Sequence, residues 1–197
     1  DAAGARALLE EGVALTRAAG DHFTTATLLT ALGRLALDQR DLPAARGSLE
    51  ESVAILRELG RPPGLGYALV ALGDVAREQA EPAAGARYAE ALGLLRDEGD
   101  RAGVALALEG YASLAAAQAQ PERALRLAGG AQALREAIGA PPAPDEQARL
   151  DRGLAPARGA LDAATAAAAG VEGRAMRLEQ AVAYALEDAP EPAASAP

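Results

Sequence analysis

The chain repeats itself. The segment AGARALLEEGVALTRAAG, Ala3 to Gly20, returns as PAARGSLEESVAILRELG, Pro43 to Gly60. Without a gap the pair shares Ala5/Ala45, Arg6/Arg46, Leu9/Leu49, Glu10/Glu50, Glu11/Glu51, Val13/Val53, Ala14/Ala54, Arg17/Arg57 and Gly20/Gly60. A third copy runs from Pro82 to Gly99, and a looser fourth from Pro121 to Gly139. Self-similarity at a fixed period implies an array of supersecondary units, each too small to bury its own apolar face alone. The first copy lacks the element that precedes the later ones, and the chain has no initiating Met. It is therefore expected to open in mid-repeat, as a piece of a longer protein.

Each copy reads as an amphipathic helix. In Pro43–Leu59 the apolar positions Ala45, Leu49, Val53 and Leu56 share one face, and Glu50, Glu51, Arg57 and Glu58 supply a wetter one. Pro43, Pro82 and Pro121 suit a first helical turn, and Gly60, Gly99 and Gly139 suit a left-handed helix end. Further helices lie between the copies. The spacing predicts seven, near 3–19, 23–40, 43–59, 64–80, 82–98, 101–119 and 121–138. Half of the chain is apolar, mostly Ala and Leu, with aromatics only 3%, a composition that favours helix over sheet. The intervening helices carry Leu29-x-x-Leu32-Gly33, Leu69-x-x-Leu72-Gly73 and Leu106-x-x-Glu109-Gly110. A mid-helix Gly costs about 1 kcal/mol relative to Ala, so its recurrence implies close contact with a partner helix. Gly73 is expected to face Ala84.

These residues resemble the tetratricopeptide repeat (TPR), which places Leu-Gly three residues beyond a large apolar residue, then a turn, then Ala and further large and small residues. The first full repeat matches at Leu29, Leu32, Gly33, Asp41, Ala45, Leu49 and Ser52. The second matches at Leu69, Leu72, Gly73, Ala84, Tyr88 and Ala91. The third matches at Leu106, Gly110, Ala124, Ala128 and Ala131, with Glu109 in place of Leu. The spacing of about forty residues exceeds the usual length of about thirty-four. The resemblance implies an all-α fold: a TPR-like right-handed superhelix of antiparallel helix pairs over residues 1–139, closed by a C-terminal helical cap over 140–187. Residues 188–197, rich in Pro and Ala, read as a disordered linker.

The tail carries a second resemblance. Pro121-Glu122-Arg123-Ala124, Leu134-Arg135-Glu136, Gly139-Ala140-Pro141, Gly173-Arg174-Ala175 and Leu178-Glu179-Gln180-Ala181-Val182 are similar to the end of the helical-repeat region in large bacterial ATP-dependent transcriptional regulators. Those proteins commonly carry a nucleotide-binding module and a LuxR-type helix-turn-helix. They usually show Ser or Thr before the Leu of the last helix; here it is Arg177, so a weaker helix start is expected. Within the cap, Ala140–Pro144 reads as a rigid linker. Residues 145–169 read as one helix, or two broken near Pro156. Gly170–Gly173 reads as a break, and Leu178–Leu186 as a short last helix.

Composition narrows the function. There is no cysteine, hence no disulfide and no thiolate metal site. All nineteen basic residues are Arg and the net charge is −9. The arginines are interspersed with acids, which argues against direct nucleic-acid binding by this segment. No run of residues is apolar and long enough to span a bilayer, and a cytoplasmic location is expected. His22, the single histidine, reads as a surface loop residue. The pairs Glu10-Glu11 and Glu50-Glu51 recur at equivalent repeat positions and read as solvated faces with Arg partners, not as acid–base machinery. Gly64-Leu65-Gly66 and Gly129-Gly130 lack the flanking Lys-Ser/Thr of a phosphate loop. No nucleophile–base set can be assembled, which makes a helical hydrolase the weakest class. No cofactor and no metal is expected.

In the TPR arrangement the first helix of each pair lines a concave groove. The resemblance therefore directs attention to Thr27, Thr30, Arg34 and Asp38 in the first unit, Tyr67, Asp74 and Arg77 in the second, and Tyr111 in the third. These are expected to be exposed there and to receive a protein or small-molecule effector. Tyr67, Arg77 and Arg34 are the best anchors, since Tyr and Arg dominate binding hot spots. The implied function is a non-enzymatic interaction and signal-sensing module of a bacterial transcriptional regulator. A TPR scaffold unrelated to transcription is the alternative.

Overall fold

The computed structural model describes residues 2–187. Ten helices and no strands occupy the described residues: α1 Ala2–Ala19, α2 His22–Asp38, α3 Leu42–Glu58, α4 Pro62–Glu78, α5 Ala83–Asp97, α6 Arg101–Ala117, α7 Pro121–Ile138, α8 Pro144–Ala160, α9 Ala163–Arg174 and α10 Leu178–Leu186. The linker expected over 188–197 lies outside the described residues.

The first seven helices are joined by one recurring turn. After each helix a residue goes left-handed: Gly20, Arg40, Gly60, Ala80, Gly99, Ala119 and Gly139, with φ between 54° and 71°. Its N–H and that of the next residue close on the last turn, as in Arg40 N–H to the Leu37 carbonyl (3.1 Å) and Asp41 N–H to the Ala36 carbonyl (2.9 Å). This is the Schellman pattern, which satisfies the orphan carbonyls of the helix end. It also corrects the ends predicted at 40, 80 and 119: α2, α4 and α6 stop earlier because Arg40, Ala80 and Ala119 adopt the left-handed conformation without being glycine. Asp21, Asp41 and Asp100 then cap the next helix through Thr24, Ala44 and Gly103 N–H. Pro82 departs from the expected pattern, since it sits at the N-cap of α5 and not in its first turn.

Adjacent helices from α1 to α8 pack on one another, α9 and α10 return onto α7, and α2, α4 and α6 also form a row of direct contacts. The core is built from alanines that let helices approach and from large side chains that fill the remaining space: Leu49, Leu69, Leu72, Tyr88, Leu92, Leu95, Leu108 and Leu127. Helix α6 touches α4, α5, α7, α8 and α10. It is therefore buried around its whole circumference from Gly103 to Ser113. The repeated glycines mark close approaches, as their cost implied. A Cβ at Gly33 would lie 2.5 Å from Leu49 Cγ, and one at Gly73 2.6 Å from Tyr88 Cε1. The nearest neighbour of Gly73 is therefore Tyr88, one turn beyond Ala84, because the large residue of the repeat fills the space that the glycine opens.

The C-terminal helices differ from expectation in two places. Helix α8 runs through Pro156, and the chain breaks later, at extended Leu161. Asp162 then caps α9 by accepting from Ala164 and Thr165 N–H. Gly170 and Gly173 do not break the chain but lie inside α9. A Cβ at Gly173 would lie 1.9 Å from the Arg126 carbonyl oxygen, and one at Gly129 would lie 2.3 Å from that of Gly170. These glycines allow α9 and α7 to cross backbone to backbone. Arg177 supplies no side-chain cap to α10; its own N–H is accepted by Gln180 Oε1 at 2.9 Å.

Candidate functional site

Helix α8 covers the face of α2, α4 and α6 that the sequence marks as a groove. Its first turns carry Glu146 and Arg149, three residues apart on one side of the helix. Glu146 accepts from Arg34 of α2 at 2.9 Å, and Arg149 donates to Asp38 at 2.5 Å. Farther along, Leu154 and Ala157 are buried. A Cβ at Gly153 would meet Ser113 Oγ of α6 at 2.4 Å, so this position admits α8 only because it has no side chain. Where α4, α6 and α8 meet, a residual space of only about 20 Å³ remains.

Thr27 and Asp38 are exposed as expected, but Arg34, Tyr67, Asp74, Arg77 and Tyr111 are partly or fully buried. Arg34 and Asp38 are held by α8. Asp74 accepts from the Tyr88 hydroxyl at 2.7 Å and lies 3.9 Å from Arg77. Arg77 pairs with Glu78 at 2.9 Å. Burial pushes the Asp74 carboxyl above its ordinary value, against the pull of Arg77 and of the Tyr88 hydroxyl. Tyr67 is half-buried, and its hydroxyl is pushed up to about 12 by burial and then by the Asp100 carboxylate. Tyr111 is misplaced by the sequence reading. It is buried, its hydroxyl donates to the Gly85 carbonyl of α5 at 3.1 Å, and its ring lies 5.5 Å from that of Tyr88. It faces α5 because it follows Gly110, the residue that turns toward Tyr88, by one helical step. Thr27 and Thr30 donate to the Phe23 and Ala26 carbonyls of their own helix, and Thr30 also bonds Ser52 at 2.8 Å.

One element was missed. Arg135 of α7 makes a two-pronged pair with Glu109 of α6, at 2.5 and 2.9 Å, and both side chains are over nine-tenths buried. Burial raises the Glu109 carboxyl, opposed by Arg135. Arg135 also approaches Glu146 at 3.6 Å, so the pair is continuous with the contacts of α8. The signal was the replacement of repeat Leu by Glu109; its partner, 26 residues away, carried none. Buried pairs contribute little net stability but enforce register, since any shift leaves a charge unpaired.

Between α7, α8 and α9 lies a cavity of about 590 Å³. Leu125, Gly129 and Gln132 of α7, Leu150, Leu154 and Arg158 of α8, and Ala166 and Arg174 of α9 are among its walls. Its size is within the range of small-molecule sites.

The remaining candidates behave as surface. His22 is exposed at the start of α2, and Glu10 and Glu11 are exposed. Glu50 pairs with Arg46 four residues away, while Glu51 pairs with Arg17 of the preceding copy. Arg57 pairs with Glu90 in the same way at 2.5 Å. Among the described residues no group of three or more His, Cys, Asp or Glu side chains is placed to hold a metal ion, and no helix is long and apolar enough to cross a membrane. No family model, no curated protein and no solved structure matches the chain.

Proposed function

We propose that the chain is a TPR-like right-handed superhelix that works as a non-enzymatic, cytoplasmic interaction and sensing module of a LuxR-type bacterial transcriptional regulator. The observation that carries this reading is the docking of α8 on the array, on α2 through Arg34–Glu146 and Arg149–Asp38 and on α6 by direct packing. A repeat array offers its inner face to extended or helical segments, and here a helix of the same chain occupies it through charged contacts. An effector in the adjoining cavity of about 590 Å³ touches α7, α8 and α9 together. It thereby acts on the fit of α8 against the array. Direct DNA contact belongs to another part of the parent protein, because the net charge here is −9.

The test is Glu146→Ala with Arg149→Ala in the full-length parent, read by RNA sequencing of cells carrying either allele. Changed signal-dependent transcription supports the regulator. An unchanged transcriptome overturns it in favour of a scaffold. Tight sequence-specific DNA binding by residues 1–197 alone at physiological salt overturns the division of roles.

A further inference from the structure

A second, smaller pocket flanks α8 on the side of the helix ends. It has a volume of about 220 Å³ and brings together Arg40, Arg77, Arg149 and Arg152 with Asp38 and Glu78. Four guanidinium groups thus face two carboxylates. Both carboxylates are already committed, Asp38 to Arg149, and Glu78 to Arg77 and Arg40. The nearby helix ends do not require the arginines either. The carbonyls of Ala36, Leu37, Ala76 and Arg77 already accept from the turns that follow α2 and α4. Two guanidinium nitrogens, Arg77 Nε and Arg149 Nη2, are buried without a hydrogen-bond partner; Asp145 lies 3.9 Å from Arg149 Nη2 and Asp74 3.9 Å from the Arg77 guanidinium, both beyond hydrogen-bond reach. A buried charged donor without an acceptor is strongly unfavourable.

We propose that this pocket binds a small tetrahedral dianion, a phosphate or a phosphomonoester group. Among the groups lining the pocket the guanidiniums outnumber the carboxylates by two, with Asp74 and Asp145 behind Arg77 and Arg149 at 3.9 Å; that lining suits a dianion, and planar guanidinium forks suit phosphate oxygens. The space is smaller than typical sites for larger ligands and corresponds to roughly seven water volumes, enough for the anion and part of its hydration shell. The arginines come from both sides of a seam, Arg40 and Arg77 from the repeats, Arg149 and Arg152 from α8. A bound dianion therefore ties α8 to the array. The site deepens the sensing role proposed above and rests on it, but its test reads ion binding and does not depend on transcription.

The experiment is isothermal titration of the whole chain with inorganic phosphate, at ionic strength held constant with chloride. Saturable one-site binding is expected. Arg40→Ala with Arg152→Ala removes two exposed guanidiniums and keeps the helical spectrum; phosphate affinity should fall at least about tenfold. Arg96→Ala with Arg101→Ala removes the same charge elsewhere and should keep wild-type affinity. Tighter binding of glycerol 3-phosphate than of phosphate assigns a phosphomonoester, and equal or weaker binding assigns free phosphate. Absence of saturable binding by the wild type overturns the site, as does an equal loss in the two double variants or none in either.

Discussion

Gly73→Ala separates tertiary packing from helix propensity, because the two predict opposite signs. By propensity alone, replacing a mid-helix glycine by alanine stabilises by about 1 kcal/mol. In the structure the new Cβ would lie 2.6 Å from Tyr88 Cε1, 2.8 Å from Cδ1 and 3.0 Å from Cζ. Carbon atoms pack best at about 3.5–4.0 Å, so the ring must retreat by roughly 1 Å. It has nowhere to go. A Cβ at Gly110, on α6, would lie 2.5 Å from the same Cε1, so the ring is already held against a second glycine. Its hydroxyl is also tied to Asp74 at 2.7 Å. Overpacking of this kind costs about 1–3 kcal/mol, and subtracting the propensity gain leaves a net loss of about 1 kcal/mol, or roughly 2–4 °C in thermal midpoint for a chain of this size. Calorimetry of Gly73→Ala measures it. Paired with Tyr88→Leu, which removes the ring, the alanine should cost less than it does alone; paired with Tyr88→Phe, which keeps the ring, it should cost the same. A Gly73→Ala variant more stable than wild type would refute the packing argument.

Two further substitutions probe the buried charges. Asp74→Asn tests the raised carboxyl. Since burial lifts its folded-state value above the ordinary 3.8, wild type holds this contribution at low pH and loses it as pH rises through the folded-state value, whereas Asn does not titrate. The variant should therefore gain on wild type as pH increases above 3.8; a difference that is flat from about pH 4 to about pH 8 removes Asp74 from the pH dependence. Glu109→Leu restores the residue of the other repeats but leaves buried Arg135 with only the longer contact to Glu146 at 3.6 Å, and should cost up to about 3–5 kcal/mol. Adding Arg135→Met should recover most of that loss in denaturant unfolding, and a double variant as unstable as the single one would show that the pair does more than cancel its own charges.

The repeated elements were legible in the sequence because their causes are local. Apolar spacing, prolines in first turns, capping aspartates and the left-handed Gly60, Gly99 and Gly139 act within a few residues of one another. They place α1 to α7 nearly where the structure has them. Even Gly33 and Gly73 announced a close contact, because an uncompensated mid-helix glycine is costly. What the glycine meets most closely was decided by the tertiary packing: the Tyr88 ring, brought there by α5 against α4. The same holds for Gly170 and Gly173, which signal a chain break by composition and instead allow α9 to cross α7 at backbone distance. The candidate site was the least legible part. Arg34 and Asp38 share a face of α2, and Asp74 and Arg77 a face of α4, because helical spacing dictates a face. That the face is covered depends on α8 returning across it, with Glu146 lying 112 residues beyond its partner Arg34. No local preference encodes that distance. It follows from the complementarity of two surfaces that exist only once the array has folded.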